Sequence, residues 1–301
     1  MEDNLNKKLD SLARVFDLKK VMNLKTNKEY IKRYYLINKL PYSMLHTKTD
    51  LIYMGISRDG TYKENDLLEA ARMVEKFLRK GKKERILELA SGRGANSFYL
   101  AKRHPEKIFY GLDFSHGQLD YSFKKARKVK NYFPREGDYH DLSTFKDSSI
   151  EIIFIVEALC YSTNKEKVLK EAYRVLKKSG FVIIFDGYSK KRILKNNEKI
   201  ALKLVEKGMA LEKFELYKDF IFKVEKSGFK IKFEEDVSKY TLPTMERFEK
   251  LAKKFLYFPF LAKLVCKILP KEFVYNVVSA YLMPDLIKKE IASYMITILK
   301  K

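Results

Sequence analysis

The stretch RILELASGRGANSFYLAKRHPEKIFYGLDFSHGQL, residues 85–119, decides the fold. A short apolar run leads into a glycine-containing turn, which is followed by a helical segment and by a second apolar run ending at Asp113. Glycines let the chain turn tightly and bring the backbone close to a ligand. Strand, turn, helix and strand in this order are typical of a βαβ unit in a mostly parallel sheet.

The same stretch indicates a nucleotide pocket. Open α/β sheets bind ligands at the carboxyl ends of their strands, where helix N-termini offer free amide donors to an anionic group such as a carboxylate. Asp113 follows Gly92 by 21 residues, where a carboxylate can accept hydrogen bonds from both hydroxyls of a ribose. A glycine pair alone also fits an ordinary strand-to-helix turn. NAD is the second interpretation, in which Ser97 would be the third small residue.

Composition bounds the class of protein. The 301 residues are 46% apolar, enough for a sizeable core in one large or two small domains. Two cysteines, Cys160 and Cys266, argue against a disulfide framework and favour a reducing compartment. The four histidines lack metal-ligand spacing, so we expect no metal site. The net charge of +23 suggests an anionic partner, but the lysines are spread along the whole chain, as in a lysine-rich proteome.

Alternating apolar runs and helical spacings predict seven strands. They lie near residues 85–90, 107–113, 131–136, 150–156, 181–186, 229–236 and 292–299. Leucines at three- to four-residue spacing predict an N-terminal helix, and a second amphipathic helix over 67–78 is predicted to end at Gly81.

Hydroxyl and glycine residues predict further helix ends. Ser115 with Gln118, and Thr163 with Glu166, have capping-box spacing. Gly180 is predicted to end the helix before the fifth strand.

Four segments follow from this pattern. We expect a helical N-terminal extension or lid over 1–82, a nucleotide-binding core over 83–237, a helical cap over 238–290, and a last core strand over 291–301. The N-terminus lacks a signal-peptide core, which favours a cytoplasmic protein. The apolar run 255–269 is too short to span a bilayer and carries Lys263 and Lys267, so it fits either a cap or a peripheral contact with an acidic membrane surface.

Several motifs resemble those of one family. ELASGRG (88–94) resembles motif I of the class I S-adenosylmethionine (SAM) dependent methyltransferases, and YGLDFS (110–115) resembles their second motif. GDY (137–139) is similar to their adenine-binding segment, and 149–186 is similar to the fourth and fifth strands of the small-molecule and lipid branch, the methyltransferase type 11-like proteins. The resemblance implies an α/β, Rossmann-like seven-stranded sheet with an antiparallel last strand, and SAM as cofactor.

The resemblance also implies site residues. Gly92 and Gly94 would admit the methionine moiety, Glu88 would help hold its amino group, and Asp113 would bind the ribose. The other implied cofactor contacts are Ser115, Gln118, and, at the adenine, Asp138 and Tyr139.

Three residues are candidates for catalysis. By the resemblance Glu157 follows the fourth strand where acceptor and sulfonium meet, although a capping or salt-bridge glutamate is the alternative. Tyr161 stands where many members carry histidine; it and His46 are candidates for proton removal, with plain packing as the alternative for each.

We therefore expect a SAM-dependent methyltransferase that acts on a small, hydrophobic acceptor of isoprenoid, quinone or lipid type. A small-amine N-methyltransferase is the nearest rival. RNA methylation and nucleotide binding without catalysis are rivals from other classes, and nucleic acid is disfavoured because no motif for base methylation is present.

Overall fold

The computed structural model describes residues 2–47 and 49–301. Seven strands form one sheet in the order β3-β2-β1-β4-β5-β7-β6. They are β1 (Arg85–Leu89), β2 (Ile108–Asp113), β3 (Tyr132–Glu136), β4 (Ile150–Val156), β5 (Leu176–Ser189), β6 (Lys230–Asp236) and β7 (Ala292–Lys300). Adjacent pairs from β3 to β5 run parallel, whereas β7 is antiparallel to both β5 and β6. All seven predicted strands and the antiparallel last strand are confirmed.

Fourteen α-helices surround the sheet in the described part of the chain. They are α1 (Glu2–Ala13), α2 (Leu18–Met22), α3 (Lys28–Ile37), α4 (Lys39–Leu45), α5 (Glu69–Glu75), α6 (Ala95–Arg103), α7 (His116–Ala126), α8 (Lys165–Val175), α9 (Asn196–Gly208), α10 (Tyr217–Lys226), α11 (Ser238–Leu256), α12 (Pro259–Ile268), α13 (Lys271–Val274) and α14 (Asn276–Lys288). None of these described helices combines the length and the apolar character that crossing a membrane requires.

The central strands alternate their side chains between two cores, as the two-residue period of a strand dictates. Ile153 and Ile155 of β4 pack in one core, and Ile152 and Phe154 pack in the other. Residues on both faces are almost fully buried, which is typical of a parallel sheet covered by helices on each side.

A third apolar cluster lies at the carboxyl edge of the sheet. It joins α1, α9, α11 and α14 to Ala292, which pairs with Ser189 at the end of β5. The buried leucine face of the predicted N-terminal helix is part of this cluster. Helices from the start and from the end of the chain therefore meet over the edge where an open α/β sheet binds ligands.

Four predicted helix ends are wrong. Helix α5 ends at Glu75, before Gly81, which lies in a turn with φ of +69°. Asn164 rather than Thr163 caps α8, because its side chain accepts from the Lys167 N–H.

The other two errors concern Ser115 and Gly180. Ser115 is the N-cap of α7, but its side chain makes no capping hydrogen bond. Gly180 lies inside β5, where a Cβ would come within 2.7 Å of the Glu151 carbonyl oxygen, so it serves close strand packing.

Candidate active site

The two glycines of the turn after β1 serve different purposes. Both lie in the left-handed region, with φ of +52° at Gly92 and +68° at Gly94. A Cβ on Gly94 would lie 2.1 Å from the Tyr132 hydroxyl and 2.5 Å from the Ser122 Oγ, whereas a Cβ on Gly92 would meet no atom within 4 Å. Gly94 is therefore required by packing, and Gly92 presents bare backbone to the open cavity.

Asp113, at the end of β2, lies against this turn. Its Oδ2 accepts from the Gly92 N–H and its Oδ1 accepts from the Ser115 N–H, each at 2.8 Å. Burial raises the pKa of Asp113 to about 6, although both hydrogen bonds oppose the shift. The carboxylate lines the cavity and is fixed in orientation, as recognition of two adjacent hydroxyls requires.

Glu88 lies beneath the turn and outside the cavity wall. Its carboxylate accepts from the Ser97 Oγ at 2.6 Å, the Ser97 N–H at 3.2 Å and the Asn96 Nδ2 at 3.1 Å. Burial raises its pKa to about 7. Glu88 thus holds the first turn of α6 to β1, and its predicted contact with a methionine amino group stays a prediction.

The predicted adenine contacts occupy the next loop. The Tyr139 side chain is buried in the cavity wall, and its hydroxyl donates to the Ala158 carbonyl at 3.2 Å. Asp138 points away to Lys28, 2.7 Å from its Nζ, and to the His140 ring. Burial acts to raise the pKa of Asp138, but these bonds hold it below its ordinary value. The structure thus brings Tyr139 to the cavity and leaves Asp138 behind it.

Arg93, between the two glycines, is a residue that the sequence reasoning missed. Its buried guanidinium donates from Nη1 to the Ser43 Oγ at 2.9 Å and to Asp50 at 3.0 Å, and from Nη2 to the Lys39 carbonyl at 2.7 Å. Its Nε lies 3.4 Å from the Gln118 Oε1. Arg93 therefore connects the turn after β1, called here the cofactor turn, to α4 and to the loop that follows α4.

Gln118 also contacts the N-terminal segment. Its Nε2 lies 3.4 Å from the Tyr35 carbonyl oxygen, and both Gln118 and Ser115 line the cavity. Gln118 therefore joins the N-terminal helices to the wall that carries Asp113.

Glu157 directly follows β4 and has a φ of +50°, a strained conformation for a residue with a side chain. Its Oε1 accepts from the Met54 N–H at 2.6 Å and from the Tyr294 hydroxyl at 2.9 Å. Burial raises its pKa to about 7. Asp186 of β5 is a second buried carboxylate that lines the same cavity. Two carboxyl groups that can stabilise positive charge therefore line the same cavity.

The other two catalytic candidates, Tyr161 and His46, differ in whether a polar atom is left without a hydrogen-bond partner. The Tyr161 hydroxyl donates to the Met209 carbonyl at 2.9 Å and accepts from the Tyr35 hydroxyl at 3.2 Å, and burial raises its pKa. The His46 Nε2 lies 2.9 Å from the Tyr53 carbonyl, so Nε2 carries the proton. Its buried Nδ1 has no partner in the described structure, and burial lowers the pKa of His46 to about 4. His46 therefore offers a free lone pair.

All the candidate residues except Glu88, Gly94 and Asp138 line one cavity of about 470 Å³, within the range of small-molecule sites. The polar wall carries Gly92, Asp113 and Glu157. A second part of the lining is apolar and comes from α9 with the residue after it, from α11 and from α14; it includes Val205, Met209, Met245, Phe255, Val277 and Met283. Within residues 2–47 and 49–301, no group of three His, Cys, Asp or Glu side chains is placed to hold a metal ion.

Comparison with known proteins identifies the core. A family model described as a methyltransferase domain matches residues 87–184, which include the turn, Asp113 and Glu157. Residues 87–184 are thus similar to the methyltransferase domain of the class I S-adenosylmethionine-dependent methyltransferases. SAM is the cofactor of this family.

Individual relatives match this chain over the core. Sterol methyltransferase-like 3 of Botryococcus braunii is 28% identical over 118 residues, 38% of this chain and 30% of the relative. A demethylmenaquinone methyltransferase of Thermotoga maritima is 30% identical over 103 residues, 34% of this chain and 43% of the relative. The chain thus spans less than half the length of these curated relatives.

A solved structure extends the likeness beyond the core. A protein from Galdieria sulphuraria described as a sarcosine dimethylglycine methyltransferase superposes with a TM-score of 0.71 at 14% identity, covering 89% of this chain and 98% of that chain. At this identity the match concerns the fold alone.

The cavity has residues that fit SAM. The open space above Gly92 would admit the methionine end of the cofactor, and the fixed Asp113 carboxylate would bind the ribose. The Tyr139 side chain, in the cavity wall, would lie beside the adenine.

Proposed function

We propose that this methyltransferase transfers a methyl group from SAM to a small apolar acceptor of isoprenoid, quinone or lipid type. The observation that carries the proposal is the apolar wall that α9, α11 and α14 give to the cavity that Gly92 and Asp113 also line. Such a wall binds by excluding water and offers few polar partners for a hydrophilic acceptor. The names of the sterol and demethylmenaquinone relatives support an acceptor of this kind.

We propose that the N-terminal segment 1–82 is the lid and that 238–290 is the cap over the core 83–237, with 291–301 completing the sheet. The contacts of Arg93 with Ser43 and Asp50 support the first assignment. The cavity wall supplied by α11 and α14 supports the second. Enclosure of this kind excludes water from the reacting groups.

Bound SAM supplies an electrophilic methyl group on a sulfonium. Asp113 and the Gly92 turn would fix the donor, and the apolar wall would align the acceptor for in-line displacement. Glu157 would stabilise positive charge that develops on the acceptor side. His46 would take up a proton at Nδ1 where the acceptor must lose one, although its low pKa makes it a weak base.

A small amine is the second candidate acceptor, because one specific observation favours it. Tyr34, Tyr35, Tyr42 and Tyr161 all line the cavity near Glu157. Aromatic faces and a carboxylate attract a cationic group. The same cluster is explained by packing, since Tyr34 bonds to Tyr42 at 2.6 Å and Tyr35 to Tyr161 at 3.2 Å.

Isoprenoid, quinone and lipid acceptors reside in bilayers, so peripheral contact with an acidic membrane surface is part of the proposal. A cytoplasmic location is also proposed, and the two free thiols, Cys160 and Cys266, support it.

Incubation of the purified protein with methyl-labelled SAM and fractionated cell extract tests the proposal. We expect label in the lipid fraction, and loss of that label with the variant Asp113→Ala. Label in the soluble amine fraction would favour the second candidate. Label in RNA would contradict both, and SAM binding without transfer to any fraction would indicate a binding protein.

A further inference from the structure

The end of the helical cap exposes large apolar side chains. Tyr257 is 75% exposed, Phe260 is 78% exposed and Ile268 is 80% exposed. The other exposed apolar residues of this segment are Phe258, Leu261, Leu264 and Leu269. Single exposed apolar residues are ordinary, but a contiguous group marks an interaction surface.

Helix α12 arranges this group on one side. Ala262 is buried against the cap, while Phe260, Leu264 and Ile268 follow one another at four-residue spacing on the outward side. Lys263 and Lys267 form the next row along the same exposed face. The helix therefore has an apolar outer face with a basic edge, the pattern of a helix that lies in a membrane interface.

The charge of the segment has one sign. Residues 250–271 contain six lysines and no aspartate or glutamate. Lys253 pairs with the largely buried Glu249 at 2.7 Å, and Lys271 lies 5.6 Å from the centre of the Tyr30 ring. The remaining lysines make no ion pair with any described residue; they are Lys250, Lys254, Lys263 and Lys267. The surface therefore lacks the negative charge that would balance it.

The apolar end of the cavity reaches the protein surface beside this face. Leu45 and Leu251 line the cavity, yet they are 46% and 38% exposed. They belong to α4 and α11, which are joined where the Arg247 Nη2 donates to the Leu45 carbonyl at 2.8 Å. One turn after Leu251, Phe255 also lines the cavity, and the exposed apolar face begins at Tyr257.

We infer that the outer face of residues 250–271, with Leu45 at its border, is a docking surface for an anionic lipid bilayer, and that the acceptor enters the cavity from the bilayer between Leu45 and Leu251. The unpaired lysines meet anionic headgroups while the side chains of α12 enter the interface. The docking stands without the proposed function, whereas the entry route rests on it.

A second copy of the chain fits this surface less well. A two-fold dimer brings the same patch of both copies together, so the lysines of one copy would face those of the other with no carboxylate between them. RNA would pair with the lysines but would leave the apolar side chains exposed. An anionic bilayer satisfies both the charge and the apolar face.

Cosedimentation of the full chain with lipid vesicles tests the docking. We expect binding to phosphatidylglycerol-containing vesicles that weakens with salt, and little binding to pure phosphatidylcholine. The double variant Lys263→Glu/Lys267→Glu should lower the affinity about tenfold or more. The matched control Lys128→Glu/Lys130→Glu, on exposed lysines outside the surface, should bind like the unchanged protein. Phe260→Ser/Ile268→Ser tests the apolar contribution and should also weaken binding.

Two binding results would overturn the docking: the protein does not bind vesicles at low salt, or the control variant weakens binding as much as the test variant. A dimer that light scattering detects and that Phe260→Ser/Ile268→Ser dissociates would also overturn it. Methylation of an apolar acceptor in detergent micelles separates this failure from failure of the proposed function. The docking variants should keep micellar activity and lose activity on vesicles. Vesicle binding without methylation in either medium would refute the function and leave the docking intact.

Discussion

The buried guanidinium of Arg93 lies 3.0 Å from the carboxylate of Asp50, and this pair joins the turn after β1 to the loop after α4. Arg93 makes further bonds to Ser43 and to the Lys39 carbonyl, which a lysine cannot reproduce together because it lacks the forked guanidinium. Helix α4 and the loop after it are therefore held by a residue of the turn after β1.

Arg93→Lys should loosen α4 without unfolding the core. We expect faster tryptic cleavage within residues 39–50 and SAM binding weakened about tenfold, since hydrogen bonds to charged groups contribute about 1.5–3 kcal/mol each. Timed proteolysis and calorimetry measure the two effects. Arg127→Lys, at an exposed position after α7, is the matched control. Unchanged cleavage in Arg93→Lys would show that the pair does not hold the lid.

Asp113→Asn should weaken SAM binding by about 10- to 100-fold, because an amide offers one acceptor where the carboxylate offers two. The pKa of Asp113 lies near 6 in the free protein, so the carboxylate is lost as the pH falls below that value. SAM affinity of the unchanged protein should therefore decrease from pH 7.5 to pH 5, and the variant should show a smaller decrease. Calorimetry at both pH values is the measurement. Asp120→Asn, exposed on α7, should behave like the unchanged protein.

Glu88 should make stability depend on pH. Its pKa is about 7 in the folded protein and near 4.5 in the unfolded chain, so the folded state binds more protons between these values. Its contribution to the free energy of unfolding therefore falls as pH rises from about 4.5 to about 7, by up to about 3 kcal/mol.

The variant Glu88→Gln should lose that dependence. The side-chain amide of the variant also faces the Asn96 Nδ2 donor. This contact lowers the free energy of unfolding by a similar amount at every pH. The difference in unfolding free energy between variant and unchanged protein should therefore shift in favour of the variant from pH 5 to pH 8, as measured by urea titration. A constant difference would show that Glu88 is ionised throughout.

The sheet could be predicted from the sequence because its signals are local. Each central strand is a short apolar run, and the turn and Asp113 lie only 21 residues apart. The role of Arg93 could not be predicted, since Ser43 and Asp50 precede it by 50 and 43 residues and meet it only in the folded chain. Likewise Gly92 and Gly94 are equivalent in a motif, and the Tyr132 hydroxyl and the Ser122 Oγ packed against Gly94 distinguish them.

Glu157 and Tyr294 should set the pH dependence of the rate. The pKa of Glu157 is about 7, and if its ionised form stabilises positive charge, kcat should rise through that pH. Glu157→Gln should lower kcat about 100-fold and flatten the profile, with SAM affinity little changed. Tyr294→Phe removes a hydrogen bond that lowers the pKa of Glu157, so the rise should move to higher pH. An unshifted profile would show that the Tyr294 bond does not act through Glu157.

The apolar wall of the cavity should limit the length of the acceptor that can bind. Ala280 of α14 lines the cavity together with Val277 and Met283, and a phenyl group at that position would fill part of the cavity. Ala280→Phe should lower kcat/KM for long isoprenoid acceptors by about tenfold or more and spare short ones, because overpacking costs about 1–3 kcal/mol where the acceptor would bind. SAM affinity should not change. Ala13→Phe, at the exposed end of α1, controls for added apolar surface. Equal losses for short and long acceptors would show that the acceptor does not extend along α14.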